Sequence, residues 1–382
     1  MGYSRVQSNT AGGVRMDAST CFLNPQVRQR SNLHILTRST VTKIIFDQNK
    51  RVTGVVYIKD GIEKTANVSR EVVVCAGAIG SPKLLMLSGI GPKWHLEQFQ
   101  IPVLADLNVG QGLQDHVVFA GIVVTTKEDL IGLKDFKKSF QEYMANRTGL
   151  LTIPGGLEAL LFTHSDVGKR VEGYPDLELE VAAVFPNEQI AQSPYVSAKI
   201  YEQYYKPMIE KSGFLCALAM VQPEARGAVY LNATDPNGAP SINPNMLGRD
   251  DDLNRLVYGT LKIKTLFDTA AMKKIGAKLW ERKYPRCKQF DVWSEPYVRC
   301  MIQQTAFPGQ HVCCTCAMGN NDKSVLDARM RVRGGVQGLR VIDASAMPKI
   351  TAGNTNAAVM MMAAKGAAMI LEDAKKDTSA QS

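Results

Sequence analysis

Long apolar runs are missing from this 382-residue sequence. A membrane-spanning helix needs roughly 18 or more consecutive apolar residues. The nearest approach, AAVMMMAAKGAAMIL at 357–371, is interrupted by Lys365 and reads as a buried helix. The opening residues MGYSRVQSNTAGG have no apolar core and are not expected to act as a secretory signal. No internal repeat or low-complexity tract occurs, which argues against solenoid and array architectures. Paired metal ligands are lacking as well. A structural zinc site needs two separated ligand pairs, each turned toward one point. Here His311 is followed by Cys313, Cys314 and Cys316, and adjacent residues such as Cys313 and Cys314 face opposite ways on a strand. Cys287 and Cys300 stand alone, the eight cysteines have no disulfide-scaffold rhythm, and His34, His95, His116 and His164 have no partner at ligand spacing. No metal is expected. The QHVCCTCAMG segment (310–319) is left as either a redox pair or small core cysteines beside a functional histidine.

What is present suits a large globular core. Hydrophobic residues make up 45% of the chain, enough for one large domain or two. The net charge is +9, with much of the excess between 262 and 288, including Lys262, Lys264, Lys273, Lys274, Lys278, Arg282, Lys283, Arg286 and Lys288. No aromatic interleaving or nucleic-acid module accompanies that run, so it reads as a solvated face and no nucleic-acid partner is expected. Three sequons, at Asn67, Asn146 and Asn232, permit glycosylation in a secreted protein without requiring it.

Along the chain, residues 34–76 alternate β-branched runs with turns at Asn49-Lys50 and Asp60-Gly61. They predict a short antiparallel sheet leading into a buried strand, Glu71–Cys75. AGAIGSPKLLMLSGIGP (76–92) then reads as a turn and a helix, with Ser81 as N-cap, Pro82 as first helical residue, and Gly89 and Gly91 ending it. Such a turn places backbone N–H groups where a phosphate or flavin edge can be held. Residues 126–302 mix helical stretches (LKDFKKSFQEYMANR) with strands (PDLELEVAAVF, FLCALAMVQP, GAVYLNA) and predict a mostly antiparallel sheet flanked by helices. GLRVIDAS (338–345) is a strand with Asp343 at its carboxyl end, where open α/β sheets bind ligands. The loop Thr351–Asn356 leads into a last helix that Asn354 or Thr355 is placed to cap.

Together, AGAIGSPKLLMLSGIGP, VGQGLQDH, HVCCTCAMG, LRVIDASAMP and GNTNAAVMMMAAKGA, in that order, resemble the glucose-methanol-choline oxidoreductases. The likeness runs over essentially the whole chain and is greatest to the insect glucose-dehydrogenase-type branch. It implies an α/β, two-domain protein. A partial, Rossmann-like flavin adenine dinucleotide (FAD) domain is expected from 1–125 and 303–382, with a substrate domain from 126–302. It also implies oxidation of a small-molecule alcohol by hydride transfer to flavin N5, with a quinone or oxygen as electron acceptor. His311, four positions before Thr315-Cys316, takes the place of the family's catalytic histidine, and Asn354 that of its second catalytic residue. A neutral imidazole can remove a hydroxyl proton near neutral pH, and an amide can orient the oxygen without charge. The flavin contacts carried over are Val41 on the adenine side, Ala76 and Gly77, Asp343 and Ala344 at the strand end, and Thr355 and Asn356 on the pyrimidine side.

The sequence departs from the family at Cys314, Gly80 and Gly112, where Gly, Asn and Asn are usual. It also contains no Gly-x-Gly-x-x-Gly, the turn that carries the flavin pyrophosphate. Residues from Gly2 on already resemble the family's mid-region, so the expectation is an amino-terminally shortened copy. The competing expectation is a non-catalytic product that binds no flavin. The resemblance leans toward an extracellular location.

Overall fold

A computed structural model describes residues 1–127, 136–167, 173–182, 186, 191, 196–209 and 211–379. They form two compact units, one from Met1–Ile35, Val117–Glu224 and Arg249–Phe307, the other from Leu36–His116, Ala225–Gly248 and Pro308–Ser382. Relative to the sequence-based division, residues 1–35, 117–125, 225–248 and 303–307 fall on the other side, the first and third of these segments through strand pairing. Gly2–Arg5 pairs antiparallel with Leu157–Thr163, drawing the first residues into the first unit. Gly227–Tyr230 pairs with Gln111–Leu113 and with Ser241–Asn243, drawing 225–248 into the second.

The first unit is built on an antiparallel sheet in the order Gly2–Arg5, Leu157–Thr163, Leu177–Ala182, Gly213–Met220, Val117–Thr125, Lys278–Leu279. Strand alternation gives it one strongly apolar face, carrying Leu177, Leu179, Leu218, Met220 and Phe119, all nearly excluded from solvent. The helix Asp250–Lys264 packs against this sheet, and the helix Glu295–Thr305 packs against both. Asp250, Asp251 and Asp252 lie in the first turn of Asp250–Lys264 and Lys262 and Lys264 in its last, matching the helix dipole. The helical stretch foreseen at 133–147 is observed as Phe136–Asn146, its first residues lying outside the described set. Cys287 and Cys300 do not stand alone. They form a disulfide that fastens the turn Pro285–Cys287 to the helix Glu295–Thr305.

In the second unit, Ser39–Phe46, Val52–Lys59 and Ile62–Asn67 form the expected antiparallel sheet. Its turns place Lys50, Asp60 and Gly61 at positive φ. The strand that follows is Val72–Val74, paired in parallel with Leu339–Val341. It is not fully buried as predicted, since Val73 is 37% exposed while Val74 is covered. The next helix, Gly77–Leu87, begins four residues before Ser81. Ser81 is therefore no N-cap. Its side chain is turned inward to Asp343, and Pro82 lies inside the helix.

The last helix, Asn356–Ser379, is also not buried all round. It packs through a stripe that includes Met362 and Gly366, where a Cβ on Gly366 would meet Ile342 Cδ1 at 2.7 Å, while Met361 and Leu371 are more than half exposed. Among the described residues, no helix is long and apolar enough to cross a membrane.

Candidate active site

The residues singled out from the sequence all fall in the second unit, and three hydrogen-bonded clusters hold Ala76, Gly77, His311, Asp343 and Ala344 among them. The first is built on Asp343, two residues past the parallel strand Leu339–Val341. Its Oδ2 accepts from Gly77 N–H at 2.9 Å and Ser81 Oγ at 2.5 Å. Its Oδ1 accepts from Ser345 N–H at 2.8 Å and Ser345 Oγ at 2.5 Å. A carboxylate so fully engaged acts as a clamp, joining the turn at Ala76–Gly77 to the strand end at Ala344. Ser81 Oγ also accepts from Ala76 N–H. The turn itself stays open. Ala76 is exposed, Gly77 has φ of +76°, and a Cβ built there would meet no atom within 4 Å. A backbone that must pass through positive φ while leaving space above it favours glycine.

The second cluster runs through Gln114, Asp115 and His116, consecutive polar residues that are 1%, 6% and 1% exposed. Gln114 pairs through its backbone with Cys313, and its Oε1 accepts from Ile350 N–H. Asp115 accepts from the backbone N–H of His311 at 2.7 Å and of Gln310 at 3.2 Å. Burial raises the Asp115 pKa, and those two N–H groups pull the other way. His116 Nδ1 lies 2.9 Å from His311 Nδ1, and His116 Nε2 lies 3.0 Å from the Thr351 carbonyl oxygen.

With His116 neutral, that last contact assigns the proton between the rings. A carbonyl oxygen can only accept, so His116 Nε2 carries hydrogen and, in the neutral ring, Nδ1 is the acceptor. The hydrogen between the rings then belongs to His311 Nδ1. Burial lowers the His311 pKa, which keeps the ring neutral near pH 7. A neutral His311 protonated at Nδ1 leaves Nε2 with a free lone pair, the form a general base requires.

The third cluster ties the cysteine segment down. Cys314, Cys316 and Met318 donate their backbone N–H groups to the carbonyls of Ala344, Ser345 and Ala346. Thr315 Oγ1 donates to Ala78 O at 2.7 Å. Cys313, Cys314 and Cys316 are buried in the core of the unit.

The other nominated residues are placed without being joined to His311. Asn354 is exposed, three residues after the Thr351 that His116 contacts, and among the described residues no hydrogen bond links it to His311. Thr355 is 9% exposed and its carbonyl accepts from Val359 N–H, so Thr355 and Asn356 stand at the start of the last helix. Val41 is 41% exposed on the strand Ser39–Phe46, against which the helix Gly77–Leu87 packs. Sequence reasoning missed Asp115 and His116 as site residues. Their signal was in plain view in VGQGLQDH, a run of three polar residues followed directly by the apolar VVF.

Two profiles described as GMC oxidoreductase match this chain, one over residues 1–118 and the other over 223–363. The chain belongs to the GMC oxidoreductase family. It is 32% identical to the glucose dehydrogenase [FAD, quinone] of Drosophila melanogaster, covering 97% of this chain and 58% of that protein. It is equally 32% identical to the ecdysone oxidase of Spodoptera littoralis, over 95% of this chain and 59% of that one. Among solved structures, a formate oxidase superimposes with a TM-score of 0.80 at 26% identity, covering 98% of this chain and 66% of that chain. The chain thus spans about three-fifths of the length of the curated relatives it matches.

Proposed function

We propose that this chain carries the base and part of the flavin site of an FAD-dependent oxidoreductase acting on the CH–OH group of a small alcohol. The observation that carries the reading is the pair of contacts His311 Nδ1 to His116 Nδ1 and His116 Nε2 to Thr351 O, from which, with both rings neutral, an unprotonated His311 Nε2 follows. Bound FAD would supply the hydride acceptor, a capacity no side chain of the twenty provides.

The residues present fit such a cofactor. Gly77 leaves room over its backbone, and the exposed Ala76 lies beside it. Asp343 caps the short turn Ala344–Ala346 by accepting from Ser345 N–H, and Thr355 and Asn356 open a long helix whose N-terminal N–H groups favour electron-rich atoms. Val41 presents an apolar side chain to the adenine side. With no Gly-x-Gly-x-x-Gly in these 382 residues, the chain's own contribution is to the flavin ring and strand-end contacts rather than to that phosphate turn.

His311 Nε2 takes the hydroxyl proton as the C–H bond is lost. Asp115 positions the His311 backbone, His116 holds the ring tautomer, and Asn354 donates to the substrate oxygen. Because burial lowers the His311 pKa, the ring remains a free base at pH values where an ordinary imidazole is already protonated. The acid limb of kcat/KM should therefore fall below the ordinary imidazole value of about 6.5. An acid limb at or above that value would remove His311 from the base role. The relatives' names point to both quinone and oxidase chemistry, so the acceptor is read from turnover with a quinone against turnover in air. The reading also favours an extracytoplasmic, oxidising location, supported by the Cys287–Cys300 disulfide.

A further inference from the structure

Cys313 and Cys314 do not face opposite ways. Their sulfurs lie 2.7 Å apart, well inside the ~3.5–4.0 Å at which non-bonded heavy atoms ordinarily pack. The cause is the backbone at Cys314, whose φ of +76° lies in the left-handed region and turns its side chain back onto that of its neighbour. A non-glycine residue is disfavoured in that region because its Cβ crowds the following carbonyl oxygen. Neither sulfur has a role in the proton relay of His311. Cys313 is held by backbone bonds to Gln114 in both directions, Cys314 N–H is held by Ala344 O, and both side chains are almost wholly excluded from water.

We propose that Cys313 and Cys314 are a modification site, closed in the mature protein by a vicinal disulfide that stiffens the segment between His311 and Thr315. Two thiols lose two protons and an electron pair and form one S–S bond. The oxidant is a disulfide of the folding compartment, which takes up both electrons and both protons through a mixed disulfide and leaves as two thiols. The neighbouring Cys314 sulfur and then burial push the Cys313 thiol upward in pKa, so the exchange belongs to folding, before the segment is covered. The same chain holds Cys287–Cys300 as a disulfide, and such bonds persist where the surroundings are oxidising.

The test is a thiol map of residues 1–382 secreted from an oxidising expression host, alkylated at harvest in denaturant and digested. The expected result is alkylation at Cys21, Cys75, Cys216 and Cys316 alone, with the Cys313–Cys314 peptide lighter by two hydrogens and alkylated only after reduction. Alkylation of all six cysteines outside Cys287–Cys300 would overturn the proposal, as would a bond that appears only when alkylation is delayed. Cys314→Gly, which suits the positive φ, should leave the fold intact and expose Cys313 to alkylation. A Cys313 still blocked in that variant would mean a different partner, and would also overturn it.

Discussion

Thr315 supplies the hydrogen bond that Pro82 cannot. Pro82 lies inside the helix Gly77–Leu87 and has no N–H to give the carbonyl four residues back, at Ala78. Thr315 Oγ1 donates to that carbonyl at 2.7 Å, and both Thr315 and Ala78 are buried. The segment bearing His311 is in this way fastened to the helix that follows the open turn at Ala76–Gly77.

Replacing Thr315 with Val keeps its volume and removes the donor. A buried carbonyl left unpaired costs about 1–3 kcal/mol. Thr315→Val should therefore lower stability to denaturant by that amount, and Thr315→Ser should recover most of it. Equal midpoints for the Val and Ser variants would show that the hydroxyl contributes nothing.

On the proposed reading, His116 acts through His311 as a positioning residue. His116→Phe fills the space and leaves His311 Nδ1–H without its acceptor, so Nε2 is no longer held as the free nitrogen. The reductive rate should fall by about 10²-fold, the low end of what a positioned base supplies, with KM little changed and the acid limb of the pH profile displaced. His116→Asn offers one acceptor and one donor and should restore part of the rate. A phenylalanine variant with an unaltered pH profile would reduce His116 to packing.

Two neighbouring carboxylates of the first unit differ in company. Asp176 accepts from Ser165 and has His164 and Arg255 within salt-bridge distance. Glu178, 1% exposed on the strand Leu177–Ala182 that follows, has an Oε1 with no partner among the described residues, and burial followed by the charge of Glu180 raises its pKa from 4.5 to about 7. A carboxyl raised on folding binds its proton more tightly in the native state. Its stabilising effect is present below pH 4.5 and is lost as the pH rises through about 7. At about 1.4 kcal/mol per unit, the loss is roughly 3 kcal/mol. Glu178→Gln should flatten the fall in stability between these values. A wild-type curve already flat there would contradict the burial argument.

Local pattern made much of the molecule readable. The β-branched runs of 39–67 and their Lys50 and Asp60-Gly61 turns gave the antiparallel sheet, because strand and turn are decided by neighbours in sequence. The Asp343 strand end was legible through ordered motifs, and the same motifs singled out His311. What stayed hidden depends on distant partners. Ser81 looks like an N-cap until Asp343, 262 residues away, is seen to hold its hydroxyl. The tautomer of His311 rests on a Thr351 carbonyl that no side-chain pattern announces. Cys287–Cys300 joins a turn to a helix, and cysteine spacing alone does not reveal such a pairing. The apolar residues at 357–371 spelled a helix correctly but not which of its faces is covered.

The most direct test of the central claim is anaerobic mixing of an alcohol with FAD-loaded protein, followed through the oxidised-flavin absorption band, for the wild-type chain and His311→Ala side by side. The account predicts that both retain flavin through gel filtration, that an alcohol substrate bleaches the wild type, and that the variant stays yellow. Bleaching at the same rate in both, or a wild-type chain that emerges colourless, would contradict it.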